Sequence, residues 1–488
     1  MNSTKTSSAE NLQADILVVG GGGSGLAAAV AAAEKGANNI IVLEARRTPG
    51  GNAVFPLGIF AAESRLQKRL GIDARKDDLF KKSMNYAHWK TNPRLVRALV
   101  NKSGDTIQWL EGKGINFARV HPIYSNQVPP TFHFSSGPGT TGAKVIRALA
   151  KNCQDLGVQL LCQTKAKKLL ASKEGMVIGI LAETKDKDIR ITAKSVILAT
   201  GGFAGNKELI KKYLPTYNEK EIHHVGIPHN GDGLLMATEI GAATEGMAIL
   251  EMEGPEFPWS LPLSPIVKRP NTIWVNKKGE RFTDETAALL FPESANSIYR
   301  QPNKTSYTLF DEKIKQSIID EGLSPWEQFV IDSKSWPTRV DKELRLQVDK
   351  GRVKISDSWD EIAKWIGVVP EVLKSTIDEY NSSCDRGYDE IFVKDRRYLL
   401  PLLTPPYYAI QCCLNLLTTH GGIKVNRHME VLSHQDSPIK GLYAAGVETG
   451  GTDSDTYNVN LTGHSFGFTI NSGRIAGESA ARYVLGND

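Results

Sequence analysis

The chain has 488 residues, of which 41% are hydrophobic and 23% are charged, so it is too long for a single typical core. Its 59 basic and 54 acidic residues give a net charge of +5, spread along the chain, which argues against a nucleic-acid partner and at most mildly favours anionic substrates. The five cysteines lack metal-ligand or haem spacing, so we expect reduced thiols, packing roles for the adjacent Cys412 and Cys413, and no metal site.

The first 13 residues are polar and lack the apolar core of a signal peptide, so we expect a flexible tail over residues 1–13. No apolar stretch approaches the length of a membrane span. We therefore expect no integral membrane segment and a cytoplasmic location.

A glycine fingerprint follows the tail. A β-branched strand over Ile16–Val19 runs into Gly20-x-Gly22-x-x-Gly25, and a helix and a second strand lead to an acid at Glu44. The first glycine allows the tight turn, the second lets the backbone approach a pyrophosphate, and the third lets helix and strand pack closely. The helix N-terminus attracts phosphate, and the acid is placed to accept hydrogen bonds from a ribose. The pattern predicts a dinucleotide site.

The rest of the chain alternates helical and strand patterns and predicts an α/β fold. We expect helical structure over 65–111, a long loop over 115–140, a helix over 140–156 and hairpin-like strands over 158–200. Parallel-sheet character returns at 441–451, before a long C-terminal helix. Residues 251–403 are rich in proline and tryptophan, and this change in composition predicts an inserted domain. The predicted domains are the tail, two parts of one nucleotide-binding domain at 14–250 and 404–488, and the insertion at 251–403.

Further glycine clusters favour FAD over NAD. They are Gly50-Gly51-Asn52, Thr200-Gly201-Gly202, Gly231-Asp232-Gly233 and Ala444-Ala445-Gly446. Each alone could be an ordinary tight turn. Together they suit a long, extended cofactor that contacts one domain at several points.

These segments resemble the flavoprotein family of fumarate reductase and succinate dehydrogenase, which includes 3-ketosteroid dehydrogenases and other C=C oxidoreductases. The resemblance covers nearly the whole chain, and the matching segments are DILVVGGGGSGLAAA, the stretch from Glu44 to Asn52, ILATGGF, NGDGLLMATEIGA, GERFTDE and LYAAGVETGG. It implies a Rossmann-like FAD-binding domain of the GR2 type with an inserted α+β capping domain over the flavin ring.

The resemblance also implies which residues contact FAD. The start of the C-terminal helix would direct N–H groups at the pyrimidine edge of the flavin, although Gly463 and Gly467 could equally serve close packing. Covalently flavinylated members carry a histidine near the Gly50-Gly51 loop, and this loop has none, so we expect non-covalent FAD. The expected contacts are Gly20, Gly22, Gly23, Ser24, Gly25, Glu44, Ala45, Arg46, Gly50, Gly51, Asn52, Ala53, Ala199, Thr200, Gly201, Asp232, Gly446, Glu448, Ser465 and Phe466.

The chain departs from the family pattern where fumarate reductases hold their substrate. Arginine grips a carboxylate with two hydrogen bonds. Positions at which the family has arginines are Ala288, Lys315 and Asn460 here, and an expected histidine is Thr418. Removing arginines from a buried dicarboxylate site leaves a carboxylate unpaired, which is costly. We therefore expect a substrate other than fumarate or succinate.

Five residues are candidates for catalysis. Tyr457 could be a catalytic acid or substrate-orienting donor, or a packed tyrosine with its hydroxyl satisfied. His420 and His464 could assist it, although core roles are the more ordinary interpretation. Glu285 is the acid expected in the family's proton relay. Lys315 stands at the proton donor's position, but its amphipathic segment favours a solvated helix charge.

We expect an FAD-dependent oxidoreductase that reduces or forms a C=C bond next to a polarising group, by hydride transfer at flavin N5. The alternatives are a 3-ketosteroid-type dehydrogenase acting on a cyclic ketone, and a flavin-bearing electron-transfer subunit without its own substrate site. Only one dinucleotide fingerprint is visible in the sequence. Electrons should therefore pass through a partner protein, a small carrier or a quinone, and the other partner is a small-molecule substrate.

Overall fold

The computed structural model describes residues 10–122, 129–218, 221–324 and 327–487. Its contacts divide the chain into two compact units. The first unit comprises the described parts of Met1–Pro215, Gly226–Leu250 and Thr418–Asp488, and the second unit those of Thr216–Val225 and Glu251–Leu417. Among the described residues, no helix is both long enough and apolar enough to span a membrane.

The strands in chain order are β1 Glu10–Val19, β2 Ile40–Glu44, β3 Gly58–Phe60, β4 Phe117–Val120, β5 Phe132–Ser135, β6 Gln159–Cys162, β7 Lys165–Ala171, β8 Val177–Glu183, β9 Asp188–Leu198, β10 Ile222–His224, β11 Thr244–Glu245, β12 Leu250–Glu256, β13 Ile273–Val275, β14 Ser306–Asp311, β15 Val353–Ser356, β16 Tyr407–Thr419, β17 Gly422–Ile423, β18 Glu430–Leu432 and β19 Pro438–Ala444. The α-helices are α1 Gly23–Glu34, α2 Arg65–Arg69, α3 Lys76–Tyr86, α4 Pro93–Glu111, α5 Thr141–Asp155, α6 Lys207–Tyr213, α7 Asp232–Glu239, α8 Ser264–Val267, α9 Phe291–Tyr299, α10 Glu312–Glu321, α11 Trp336–Asp349, α12 Trp359–Ile366, α13 Pro370–Arg386 and α14 His464–Leu485.

The first unit is built on a largely parallel sheet with the strand order β18-β19-β9-β1-β2-β6. Strand β1 runs parallel to β2 and β9, and β9 runs parallel to β19. The β7–β8 hairpin joins the sheet through antiparallel pairing of β8 with β9. The predicted α/β class, the strand–helix–strand start and the hairpin are confirmed.

Helices α1 and α14 pack tightly against each other beside this sheet. Helix α1 is alanine-rich and buried from Gly23 to Ala32, so its backbone can approach a neighbouring helix closely. Glycines on α14 make the contact possible: a Cβ on Gly473 would lie 2.3 Å from the Ser24 carbonyl oxygen, and one on Gly477 would lie 2.1 Å from that of Ala28. The crossing places Thr469 and Ile470, in the second turn of α14, beside Gly23 at the start of α1.

Two expectations for the first unit are wrong. Strand β1 begins at Glu10, which pairs with Ile189, so the predicted flexible tail is incorrect for residues 10–13, and residues 1–9 lie outside the described residues. The predicted loop over 115–140 contains β4 and β5, which form an antiparallel sheet with β3. Its proline and glycine content hid these two short strands, and residues 123–128 lie outside the described residues.

The second unit is an α+β structure around the sheet β10-β16-β14-β13, with β12 and β15 also paired to β16. Its core contains Trp336, Phe310 and Tyr380, which are at most 1% exposed. Cys412 and Cys413 are free and buried on β16, which confirms their packing role. The predicted insertion at 251–403 lies in this unit, which also includes residues 216–225 and 404–417 because β10 and β16 pair there.

Candidate active site

The glycine turn between β1 and α1 has the backbone geometry that a pyrophosphate site requires. Gly20 has a φ of +112°, and a Cβ there would lie 2.2 Å from the Ala199 carbonyl oxygen. A Cβ on Gly25 would lie 1.8 Å from the Gly20 carbonyl oxygen. At Gly22, by contrast, the nearest atom to such a Cβ is the Gly50 carbonyl oxygen, at 3.9 Å. Backbone atoms therefore pack closely against Gly20 and Gly25, while there is free space beside Gly22. This space fits a phosphate at the start of α1.

We call the surface formed by Gly20–Gly25, Gly50–Ala53 and Ala199–Gly201 the glycine cradle. Its three segments meet, because Gly22 and Gly50 form a β-bridge and the Ala199 carbonyl lies against Gly20. The structure thus brings together the predicted FAD contacts of three separate sequence segments. Their roles in binding FAD stay predictions.

Glu44 lies at the end of β2, where the sequence places it, and is 8% exposed. Its carboxylate accepts hydrogen bonds from the backbone N–H groups of Gly21 at 3.0 Å and Arg46 at 2.8 Å. These bonds fix the acid beside the glycine turn. The arrangement fits a ribose acceptor next to the pyrophosphate.

Asn52 connects the cradle to a segment that sequence reasoning missed. Its amide donates to the Ile227 carbonyl at 3.1 Å, its oxygen accepts from the Ile227 N–H at 2.7 Å, and Nδ2 lies 3.3 Å from His229 Nδ1. A Cβ on Gly51 would lie 3.6 Å from His229 Nε2. The sequence has no histidine near the Gly50-Gly51 loop, but the fold brings His229 there. Non-covalent attachment of the flavin therefore stays a prediction.

Glu448 is a buried acid among the other predicted FAD contacts. It is 1% exposed and accepts hydrogen bonds from the Thr200 N–H at 2.5 Å and the Thr200 hydroxyl at 2.7 Å. The same hydroxyl accepts from the Gly233 N–H at 3.0 Å. Burial raises the pKa of Glu448 to about 8, although the bonds from Thr200 oppose the shift. The side chain is therefore largely protonated at neutral pH and can offer an O–H donor.

The start of α14 is capped by Gly463, whose φ is +82°. The first turn of a helix leaves N–H groups without intrahelical partners and carries the positive end of the dipole. Ser465 and Phe466, the predicted flavin contacts, occupy this turn, and His464 is its first residue.

His464 belongs to a buried cluster with His420 and Asp453. His420 Nδ1 lies 3.0 Å and His464 Nε2 lies 3.1 Å from the same oxygen, Oδ2 of Asp453. All three residues are at most 3% exposed. Burial alone would raise the pKa of Asp453, but its electrostatic interactions and hydrogen bonds with the imidazoles of His464 and His420 hold it well below its usual range. We call these three residues the His–Asp–His cluster.

Tyr457 lies against this cluster. Its ring centroid is 4.9 Å from that of His420 and 5.9 Å from that of His464, and the residue is 6% exposed. The structure thus brings together three of the five predicted catalytic residues, and adds Asp453. The sequence signal for Asp453 was an acid in the crowded loop before α14, but its two partners could not be assigned from spacing.

The loop that carries Asp453 and Tyr457 is anchored to α3 and to the connection after it. The Asn458 side chain donates to Ser83 Oγ at 2.6 Å, and the Asn458 N–H donates to Asp453 Oδ1 at 2.8 Å. The Asn92 N–H donates to the Gly451 carbonyl at 2.8 Å. These bonds hold the acid in place from both sides of the loop. Sequence reasoning did not identify Ser83 or Asn458 as supporting residues.

The other two catalytic candidates lie in separate ion-pair clusters of the second unit. Glu285 is fully buried and binds Arg281 at 2.8 Å and Lys394 at 3.1 Å. Burial would raise the pKa of Glu285, but Lys394 and Arg281 lower it overall, so the acid is ionised. The ion pairs that the structure gives Lys315 are with other acids, so the two candidates do not contact each other through an ion pair.

Lys315 is 5% exposed, so its interpretation as a solvated helix charge is wrong. Its ammonium binds Asp341 at 2.8 Å and Glu312 at 2.9 Å, and donates to the Tyr408 hydroxyl at 3.2 Å. Burial lowers the pKa of Lys315, but these partners raise it overall, which opposes release of a proton. Amphipathic spacing failed here because Asp341 lies on another helix, α11. Catalytic roles for Glu285 and Lys315 stay predictions.

Comparison with known proteins finds matches along nearly the whole chain. Residues 15–458 match the FAD binding domain family. The chain is 30% identical over 460 residues to a vinyl phenol reductase of Lactiplantibacillus plantarum, covering 91% of this chain and 92% of that protein. It is also 30% identical over 450 residues to a probable fumarate reductase of Shewanella frigidimarina, and this match covers 91% of this chain and 71% of that protein. Among solved structures, the open conformation of a flavocytochrome c3 fumarate reductase is similar, with 28% identity, a TM-score of 0.75, and coverage of 97% of this chain and 79% of that one.

Proposed function

The chain belongs to the FAD binding domain family and is an FAD-dependent oxidoreductase of C=C bonds, and we propose that it reduces alkenes attached to a ring that bears an uncharged polar substituent. This proposal keeps the predicted flavin chemistry and rejects fumarate as the substrate. It also favours the reductase over a dehydrogenase that acts on a cyclic ketone.

The His–Asp–His cluster beside Tyr457 is the observation that carries this proposal. A fumarate site needs cations, and the sequence has Asn460 where the family's last carboxylate-binding arginine is expected. The buried carboxylate of Asp453 instead engages both imidazoles of the cluster, so they offer a dianionic substrate no uncompensated positive charge. Imidazole and phenol groups suit a neutral ligand, which they bind through hydrogen bonds.

The similarity to a vinyl phenol reductase supports the same substrate class. The name describes a protein that acts on an alkene attached to a phenol ring. Because the match covers nine-tenths of both chains, we extend that substrate class to this chain as part of the proposal.

Each residue at the site has a proposed role. FAD held by these residues and reduced by an outside donor would supply hydride from N5. The glycine cradle binds the pyrophosphate, Glu44 binds the ribose, and the first turn of α14 places N–H donors near the flavin ring. Tyr457 donates a proton to the alkene carbon next to the one that receives the hydride. His420, whose ring centroid lies 4.9 Å from that of Tyr457, then returns a proton to the Tyr457 phenolate.

Reducing equivalents come from outside the chain in this proposal. The single dinucleotide fingerprint is accounted for by FAD, so we propose a partner redox protein, a small carrier or a quinone as electron donor.

Anaerobic reoxidation tests the function. Holoenzyme reduced with methyl viologen is mixed separately with 4-vinylphenol, fumarate and a 3-ketosteroid, and flavin absorbance is followed. We expect 4-vinylphenol to reoxidise the flavin about 100-fold faster than fumarate, because a site built for a neutral ligand leaves a dicarboxylate unpaired. Faster reoxidation by fumarate would refute the proposal. Inertness towards all compounds would favour the electron-transfer subunit.

Tyr457→Phe tests the proton donor. We expect the reoxidation rate to fall by roughly 10²- to 10⁴-fold with FAD occupancy unchanged, because general acid catalysis is lost. Tyr483→Phe is the matched control, since Tyr483 lies near the far end of α14 and its hydroxyl bonds Met176. A normal rate in Tyr457→Phe would remove the residue from the mechanism.

A further inference from the structure

His464 has one ring nitrogen with a partner and one without. Its Nε2 lies 3.1 Å from Asp453 Oδ2. Its Nδ1 is buried and has no hydrogen-bond partner among the described residues. Leaving a buried polar atom without a hydrogen bond is costly, so such an atom in a residue that is 1% exposed points to a hydrogen-bonding ligand.

Asp453 determines which kind of partner this nitrogen needs. Its Oδ2 also accepts from the Thr452 hydroxyl at 3.0 Å, and Oδ1 accepts from the Asn458 N–H at 2.8 Å. An ionised carboxylate can only accept hydrogen bonds, so Nε2 of His464 must carry the proton that faces it. In the neutral imidazole, Nδ1 then carries a lone pair and accepts a hydrogen bond.

Sharing of one carboxylate by two imidazoles favours a neutral His464. The single negative charge of Asp453 can balance only one imidazolium, and His420 lies 3.0 Å from the same oxygen. His464 also occupies the first position of α14, where the positive end of the helix dipole disfavours a second positive charge.

We propose that Nδ1 of His464 is the anchor for the substrate's ring substituent and accepts a hydrogen bond from its O–H or N–H group, with Asp453 as the positioning residue that fixes the tautomer. This inference rests on the proposed function and names its substrate class: an alkene on a ring that bears a hydrogen-bond donor, such as a phenol. Ethers and carboxylates, which offer only acceptors at neutral pH, are excluded from the anchor.

Ligand binding to oxidised holoenzyme tests the anchor without any turnover. The probes are 4-ethylphenol and 1-ethyl-4-fluorobenzene, which are similar in shape but differ in the donor. Affinities are measured by flavin difference absorbance. We expect the wild type to bind the phenol about tenfold more tightly, the ratio that one hydrogen bond supplies. A ratio near one would overturn the proposal.

Three variants localise the effect. In His464→Phe and Asp453→Asn the ratio should fall below about twofold, because the acceptor is removed or its tautomer is no longer fixed. Tyr483→Phe is the matched control, because its hydroxyl bonds Met176 near the far end of α14 and its loss leaves the whole cluster in place; it should keep the wild-type ratio. FAD occupancy and melting temperature identify any variant that fails to fold. The comparison of the two probes on wild-type enzyme needs no variant.

The outcomes separate this inference from the proposed function. A wild-type preference for the phenol that survives both His464→Phe and Asp453→Asn would place the acceptor elsewhere and refute the anchor. An altered flavin spectrum in His464→Phe, with the preference intact, would assign Nδ1 to the flavin instead. Failure of 4-vinylphenol to reoxidise the reduced enzyme would refute the proposed reaction, whatever the binding ratio.

Discussion

Replacement of Gly477 by alanine should separate α1 from α14 and weaken the FAD site. The added Cβ would lie 2.1 Å from the Ala28 carbonyl oxygen and 2.8 Å from its carbon. Both are backbone atoms, so no side chain can rotate away. Ordinary contact begins at 3.4 Å, and the helices must therefore move apart by about 1 Å.

We expect this change to lower the free energy of unfolding by about 3 kcal/mol, at the upper end of ordinary overpacking costs. Gly22 caps the start of α1, so the same displacement disturbs the glycine cradle and should reduce FAD occupancy. The assay is urea unfolding of the holoenzyme followed by tryptophan and flavin fluorescence, together with the ratio of flavin to protein absorbance.

Gly112→Ala is the matched control. Gly112 caps α4 with a φ of −61°, and the nearest atom to a Cβ there is 3.4 Å away. Its effect should stay within about 0.5 kcal/mol. If Gly477→Ala were as stable as this control and retained full FAD, close packing of α1 on α14 could not be what supports the cradle.

Two further predictions concern buried ionisable side chains. The pKa of Glu448 is about 8 in the folded chain against an ordinary value of 4.5, so its contribution to stability is complete below pH 4.5 and is lost as the pH rises through 8. Glu448→Gln should remove a slope of about 1.4 kcal/mol per pH unit between these values in denaturant titrations, and an unchanged slope would contradict the assignment. Lys394→Met should destabilise the fold by about 3 kcal/mol, because it removes one partner of fully buried Glu285. Lys151→Ala, which breaks an exposed pair with Asp155, should cost under about 0.5 kcal/mol, and equal effects in the two lysine variants would count against a buried pair.

The cofactor and the geometry of the glycine turn could be predicted because their requirements are local in sequence. Gly20 and Gly25 lie where a Cβ would overlap backbone, and the spacing between them is set by one turn at the end of one strand. Glu44 follows from the next strand. Such constraints leave a direct mark on the sequence, and the family resemblance is confirmed from the same segments.

Structure that depends on distant partners could not be predicted in this way. The mostly polar residues Glu10–Gln13 look like a tail, yet they pair with β9, which is far from them in the sequence. Lys315 has the spacing of a surface residue, yet acids from α10 and α11 hold it in the interior. In both cases the deciding contacts come from parts of the chain that no local pattern identifies.

The His–Asp–His cluster shows why the cofactor was easier to predict than the chemistry. His420 and Asp453 are 33 residues apart, and each alone is an ordinary buried polar residue. The imidazoles of His420 and His464 have a defined proton position only because both face the same carboxylate oxygen of Asp453. A substrate site that uses arginines is indifferent to tautomers, because guanidinium always donates. An imidazole of fixed tautomer can accept as well as donate, so under the proposed function substrate selection depends on a single hydroxyl group. A carboxylate-binding relative and a phenol-binding one can therefore share the fold and the flavin while differing in a few side chains before α14.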